Sequence, residues 1–303
     1  MIEFLKNTKI DFMGKRVIGL VLSGMLTLIG IIAIIQIARG EANLGIDFAG
    51  GTSVQVKFNT TVQISDVRKA LVDGGVKEFD LQMLPTENKA LIRIKKNQEK
   101  LGDLSAAIIS ALSRKFSESN VVVDSTTEIG PKVGAKLRED AMWAVIAAMI
   151  GILIYVAFRF QVRFGIGATM ATFHDVTAVL AVFYLMGKEI NLLVISALLM
   201  IAGYSLTDTV VVFDRIRENM RSRIKLPRIQ VINESINEVL SRTLITSLTT
   251  FATALSLFLF GGEVIHDFAL AIMLGIIVGT YSSIFVASPI VLMLGKDNPF
   301  VKK

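Results

Sequence analysis

Six long apolar stretches alternate with shorter polar segments along the chain. A helix needs about 20 residues to cross the ~30 Å hydrocarbon core of a bilayer, and each stretch approaches or exceeds that length. The pattern therefore predicts six membrane-spanning helices. Their predicted bounds are 17–38, 141–158, 164–187, 192–213, 242–261 and 268–294.

The segment between the first two apolar stretches has the pattern of a folded α+β domain. Residues 52–58 alternate apolar and polar side chains, as a half-buried strand does. The remaining predicted elements are a helix at 64–72, a hairpin at 79–84 and 90–96, a helix at 101–116 and a strand at 121–129. This order is typical of ferredoxin-like folds. The predicted fold class is a multi-pass α-helical membrane protein with a small ferredoxin-like domain between helices 1 and 2.

Basic residues concentrate in the loops on one side of the predicted membrane. The opposite short loops contain a single basic residue, Lys188. The positive-inside rule then places both termini in the cytoplasm and the α+β domain in the periplasm. The first apolar stretch is longer than a signal-peptide core and is expected to remain uncleaved. The predicted divisions are a cytoplasmic N-terminus with the first helix (1–38), the periplasmic domain (39–140), a five-helix region (141–294) and a cytoplasmic tail (295–303).

Composition narrows the function classes. Apolar residues make up 52% of the chain, which is too many for a soluble globule. The chain has no cysteine and two histidines, which excludes thiolate chemistry and argues against a metal site. The net charge of +6 comes largely from membrane-flanking loops, so no nucleic-acid partner is expected. No cofactor and no enzymatic activity are predicted.

Asp208 lies inside the fourth apolar stretch. A carboxylate in hydrocarbon is costly, and such residues usually face a bundle interior or a water-filled path. Arg242 opens the next stretch at a comparable depth, so we expect the two side chains to pair and to take part in proton coupling. A static ion pair is the alternative. It is less favoured, because replacing such a pair with packed apolar residues often costs little stability.

Hydroxyl residues accompany both members of this predicted pair. They can pass protons through a file of water, or they can tie helices together. The predicted polar stripe consists of Ser205, Thr207, Thr246 and Thr250.

His174 and Asp175 form a second polar site, near the middle of the third apolar stretch. They predict either a second relay site or a hydrogen-bonded lock between helices. A serine protease dyad of Ser205 with His174 is rejected, because no oxyanion donor is evident. An aspartyl protease would need Asp208 to face Asp175, and Arg242 is the better partner for Asp208.

A glycine-rich motif joins the first helix to the α+β domain. Its glycines indicate a tight, closely packed backbone. It is not a phosphate-binding loop, because no lysine follows in the required place. The motif is interpreted as a structural connector at the membrane surface. Its principal residues are Gly45, Asp47, Phe48, Gly50 and Gly51.

At this point the chain resembles the SecF family of protein-export membrane subunits, in the RND superfamily. Most of the chain is covered, in the expected order, and the single set of six helices favours SecF over its sister SecD. The residues that carry the resemblance are Asp11–Arg16, Gly45–Gly51, Phe173–Asp175, Gly203–Asn219 and Ser241–Ser247.

The resemblance implies a function that spacing alone does not. Such subunits pair with SecD, join the SecYEG channel, often with YajC, and use the proton-motive force to promote late-stage translocation of a preprotein across the cytoplasmic membrane. The proton-linked aspartate and arginine of the family match Asp208 and Arg242. The basic segment 215–228 adds anionic membrane lipids as expected partners. Two alternatives stay open: a passive assembly factor of the translocon, and half of an RND-type small-molecule or lipid exporter.

Overall fold

The structure is a computed structural model that describes residues 8–76, 79–84, 88–95, 101–116, 121–160 and 162–294. The predicted cytoplasmic tail, 295–303, lies outside the described residues.

Within the described ranges, six helical segments are long and apolar enough to cross a membrane, as predicted. The last is divided by a π-helical turn at Ser283–Ala287. The helices are α1 (Arg16–Arg39), α5 (Pro131–Arg159), α6 (Val162–Leu185), α7 (Leu192–Ser222), α8 (Arg228–Phe260), and α9 (Glu263–Ser282) with α10 (Ser288–Leu294).

Three helices extend by nine residues or more beyond their predicted bounds. α5 begins at Pro131 rather than at 141, because a proline at the first helical position is preorganised for a helix start. α7 continues to Ser222 and α8 begins at Arg228, so the two helices form a hairpin beyond the apolar stretches. Inside this hairpin Asn219 donates a hydrogen bond of 2.9 Å to Ser235, which joins the two polar helix ends.

A four-stranded sheet lies in the chain between α1 and α5. The elements of this region are the short helix α2 (Ile46–Ala49), β1 (Gly51–Phe58), α3 (Ile64–Asp73), β2 (Phe79–Leu84), β3 (Lys89–Lys95), α4 (Leu101–Phe116) and β4 (Val121–Ile129). Its strand order is β2-β3-β1-β4, and every neighbouring pair is antiparallel. Two helices, α3 and α4, pack on the sheet through a core that includes Val54, Leu71, Ile92 and Leu112.

The helical region is held together around α6, most of whose apolar side chains are buried. Close contact with α1 is possible because Gly30 faces α6: a Cβ there would lie 2.1 Å from the carbonyl oxygen of Thr177. By contrast, α5 buries few side chains, and Trp143 on this helix is 61% exposed. α5 is therefore the membrane helix most loosely joined to the bundle by direct protein packing.

Candidate functional site

Asp208 lies inside the helical bundle, as predicted, with only 6% of its surface exposed. α7 presents it towards α8, where the Ser247 hydroxyl donates to Asp208 Oδ2 at 3.2 Å. The same hydroxyl lies 2.7 Å from Oγ1 of Thr280 on α9. Asp208 thus lies at one end of a hydrogen-bonded chain that runs through two hydroxyls and links α7, α8 and α9.

The predicted pairing of Asp208 with Arg242 is wrong for this structure. Among the described residues no ion pair joins the two, and Arg242 is exposed. The reason is the rotation of α8, in which each residue turns by about 100°. Ser247 lies five positions after Arg242, about 140° around the helix, and it is Ser247 that faces Asp208.

A second buried polar cluster joins α6 to α7. Asp175 is fully buried; its Oδ2 accepts a short hydrogen bond from Ser205, and its Oδ1 lies 3.0 Å from Nδ1 of His174. The His174 ring lies 6.2 Å from the ring of Tyr281, and its Nε2 has no hydrogen-bond partner among the described residues. The Ser205–Asp175 hydrogen bond joins α7 to α6, as the predicted lock between helices would.

Small residues on α9 bring these two clusters close together. A Cβ at Gly279 would lie 3.0 Å from Ser205, and one at Gly275 would lie 2.3 Å from the Ile201 side chain. α9 therefore packs directly against α7 next to Ser205. Ser247 and Thr280 were not singled out from the sequence; the buried hydroxyls are visible only once the helices are placed side by side.

Most of the predicted polar stripe lies elsewhere. Thr246 and Thr250 hydrogen-bond to carbonyl oxygens of their own helix, and Thr207 bonds to the carbonyl of Gly203. Thr246 and Thr207 are exposed. Of the four predicted hydroxyls, only Ser205 belongs to a buried cluster. Helical spacing shows that hydroxyls share one face of a helix, but it does not show whether that face points into the bundle or away from it.

The glycine-rich motif contacts the loop that precedes α7. Gly45 N–H donates to the carbonyl of Ile190 at 2.9 Å. Asp47 accepts a 3.0 Å hydrogen bond from the backbone N–H of Leu192, in the first turn of α7. The helix dipole also stabilises a negative charge at this end of α7. The motif thus joins the sheet region to the start of the helix that contains Asp208.

Two glycines of the motif have backbone shapes that other residues rarely adopt. Gly50 and Gly51 have φ values of +77° and +148°. A Cβ at Gly51 would lie 2.2 Å from the carbonyl oxygen of Ile94, in β3, and one at Gly50 would lie 2.9 Å from Pro131, at the start of α5. The backbone of the motif is therefore tight and closely packed, as predicted. Phe48, which precedes these glycines, is buried.

Glu189 completes this contact between the sheet and the helices. Its carboxylate lies 3.8 Å from the guanidinium of Arg93 on β3. Burial raises the pKa of the Glu189 carboxyl above its ordinary value, and the positive charges of Arg93 and Lys95 offset only part of that rise. No sequence pattern points to Glu189, because its partial burial depends on the domain packed over it.

Polar contacts at the other end of the bundle were also missed. Asn233 on α8 accepts hydrogen bonds from the backbone N–H groups of Phe12 and Met13, at 2.8 and 3.2 Å. Asn237 exchanges two hydrogen bonds with Ile10. The segment before α1 is therefore fixed to the α8 end of the hairpin.

These features define a class: a multi-pass membrane protein with a small sheet domain and buried carboxylates between its helices. The family described as protein export membrane protein SecD/SecF, C-terminal, matches residues 108–297, and the SecD/SecF GG motif matches residues 42–62. The chain belongs to the SecD/SecF family.

Two relatives of matching length are SecF subunits. The chain is 57% identical to protein translocase subunit SecF of Thermodesulfovibrio yellowstonii, across 98% of this chain and 99% of the relative. The corresponding subunit of Calditerrivibrio nitroreducens is 43% identical, across 97% of each chain.

A solved structure agrees with the fold. The crystal structure of SecDF from Thermus thermophilus, a translocon-associated membrane protein, matches with a TM-score of 0.77 and 35% identity. The match covers 95% of this chain but only 39% of the SecDF chain. The present chain thus corresponds to one part of that larger protein.

Proposed function

We propose that this chain is an accessory subunit of the Sec protein translocase. Together with SecD it uses the proton-motive force to promote late-stage translocation of a preprotein across the cytoplasmic membrane. The observation that carries the proposal is Asp208: a buried carboxylate in a membrane helix, without a cationic partner among the described residues, in contact with a chain of hydroxyls. Such a carboxylate can take up and release a proton when the surrounding helices move.

Arg242 remains part of the proposal in a different way. It points away from Asp208, on the outward side of α8 together with Thr246 and Thr249. Polar side chains facing hydrocarbon are costly, and this supports a protein surface covering them. We propose that SecD supplies that surface, in line with the match to SecDF.

The orientation predicted from the loop charges is retained. Both termini lie in the cytoplasm, and the sheet domain between α1 and α5 lies in the periplasm. The element order and the strand order β2-β3-β1-β4 support a ferredoxin-like fold for this domain. Further proposed partners are the SecYEG channel, YajC, the preprotein and membrane lipids; no nucleic acid, cofactor or catalytic step is proposed.

The decisive test uses Asp208→Asn, with Arg242→Met beside it. Inverted vesicles would contain the translocon, SecD and a preprotein arrested midway, and late-stage translocation would be followed with and without a proton gradient. We expect Asp208→Asn to assemble normally and to lose the gradient-dependent step, because an amide cannot carry the proton.

A matched control is Thr207→Val, one position before Asp208 but exposed and bonded to its own helix. It should keep full gradient dependence. If Asp208→Asn also keeps it, the chain acts as a passive assembly factor. If assembly is normal and a small molecule rather than a preprotein is moved, the exporter alternative holds.

A further inference from the structure

A groove runs between α1, α5 and α6 on the outside of the bundle. Its volume is about 630 Å³ and its surface is almost wholly apolar. Met142 and Met149 line it from α5, Ile34 from α1, and Phe173 and Leu180 from α6. Phe48 on α2 and Ile195 and Leu198 on α7 complete the lining, so the groove lies between α5 and the rest of the bundle.

The groove has the length of a lipid acyl chain. Its lining on α5 runs from Arg138 to Leu153, which at 1.5 Å per residue is about 22 Å. One leaflet of a bilayer contributes about 15 Å of hydrocarbon, half of the ~30 Å core. A whole acyl chain can therefore lie along α5 inside the groove.

One end of the groove is lined by a guanidinium group. Arg138 is the cation in its lining, and no ion pair or other polar partner is found for it among the described residues. Its guanidinium lies next to Gly40, at the end of α1, where the exposed Arg39 adds a second positive charge. A phosphate at this end would meet guanidinium groups, which are well suited to bind it.

We propose that the groove holds one acyl chain of an anionic phospholipid whose phosphate contacts Arg138. The lipid takes the place of protein packing between α1 and α5. Because α5 follows β4 after the single residue Gly130, the lipid also supports the helix that connects the sheet domain to the bundle. This inference does not depend on proton coupling.

The test uses the full chain in phosphatidylcholine nanodiscs with a photoreactive lipid. Phosphatidylglycerol and phosphatidylcholine probes would carry the same diazirine-labelled acyl chain, and labelled peptides would be identified by mass spectrometry. We expect the anionic probe to label groove residues such as Met149 and Phe173 about fivefold more than the neutral probe, the preference that one arginine near the membrane surface provides.

Three variants separate the parts of the proposal. Arg138→Gln should reduce the anionic preference to none while labelling of the groove persists. Met149→Trp should reduce groove labelling by both probes, because the indole fills the space. Ile154→Trp is the matched control: Ile154 is on the same helix, 51% exposed and outside the groove, and its substitution should change neither result.

Two results would overturn the proposal. The first is a lack of selectivity: both probes label the groove equally in the unsubstituted chain, or the outward face around Ile154 is labelled as strongly as the groove. Either outcome would mean that the groove contains only ordinary surrounding lipid. The other is an absence of lipid labelling in the groove together with crosslinks from Met149 to another polypeptide in native membranes, which would make the occupant a protein segment.

Discussion

Glu189 is the half-buried carboxylate at the contact between the sheet and the helices, and its raised pKa has a consequence for stability. An acid whose pKa is raised on folding holds its proton more tightly in the folded state. Its contribution to stability is complete below the pKa of the unfolded chain and is lost as the pH rises through the raised value. For Glu189 that loss begins as the pH rises above its ordinary pKa of 4.5.

Glu189→Gln removes this pH dependence. We expect the variant to melt at a higher temperature than the unsubstituted chain at pH 7, because a neutral amide avoids the cost of burying a charge. Arg93 keeps Asp80 within 3.8 Å, so it is not left without a carboxylate. The two melting curves should converge as the pH falls towards 4.5.

Glu41→Gln, in an exposed loop on the same side of the bundle, controls for the loss of one negative charge. A melting difference between Glu189→Gln and the unsubstituted chain that stays constant with pH would contradict the assignment. Melting would be followed by circular dichroism in detergent.

Asp208 and Arg242 illustrate what sequence can reveal about single residues. A carboxylate inside an apolar stretch is visible directly, and Asp208 is buried as predicted. Its partner depends on how α8 is rotated, and no apolar pattern fixes that rotation when the helix has hydroxyls on several sides. Ser247 and Thr280 therefore emerged only from the packed helices.

The contact between α1 and α6 depends on one small residue. A methyl group at position 30 would lie 2.1 Å from the carbonyl oxygen of Thr177, which is backbone and cannot move aside easily. We expect Gly30→Ala to destabilise the chain by about 1–3 kcal/mol, the usual cost of overpacking.

Gly24→Ala is the matched control in the same helix. Nothing lies within 4 Å of a Cβ at that position, so this change should leave stability unchanged or slightly raised. Chemical unfolding of both variants in detergent would measure the difference. Equal effects of the two changes would show that helix propensity, and not the contact with α6, controls the result.

The six membrane helices could be predicted from apolar runs, but the hairpin at the ends of α7 and α8 could not. Residues 214–228 are rich in arginine and resemble a loop when only hydropathy is considered. The helix continues to Ser222 because its polar side chains bond to α8: Glu238 accepts hydrogen bonds from Arg215 and Asn219. Those contacts lie between residues far apart in the chain, so a local pattern does not report them.

The orientation of the sheet domain on the bundle rests on the glycine-rich motif. Gly51 has a φ of +148°, and a Cβ there would collide with the carbonyl of Ile94. Gly51→Ala should cost about 1–3 kcal/mol in backbone strain alone. We further expect it to loosen the domain from the helices, seen as faster amide hydrogen exchange in β3 and in the loop before α7.

Gly130→Ala tests the other connection of the same domain. Gly130 has a φ of −66° and open space around it, so alanine should cost less than at Gly51 and should leave hydrogen exchange in β3 unchanged. Faster exchange in both variants would mean that the domain is held by the connection to α5 and not by the motif.

α5 leads from the sheet domain into the bundle, and this helix contains the only tryptophan of the chain, Trp143. Its indole is 61% exposed on a helix with little protein around it. The purified chain therefore has an intrinsic fluorophore that senses the surroundings of α5 alone. A change of lipid beside α5, or its coverage by another subunit, can be read from the emission wavelength of unlabelled protein.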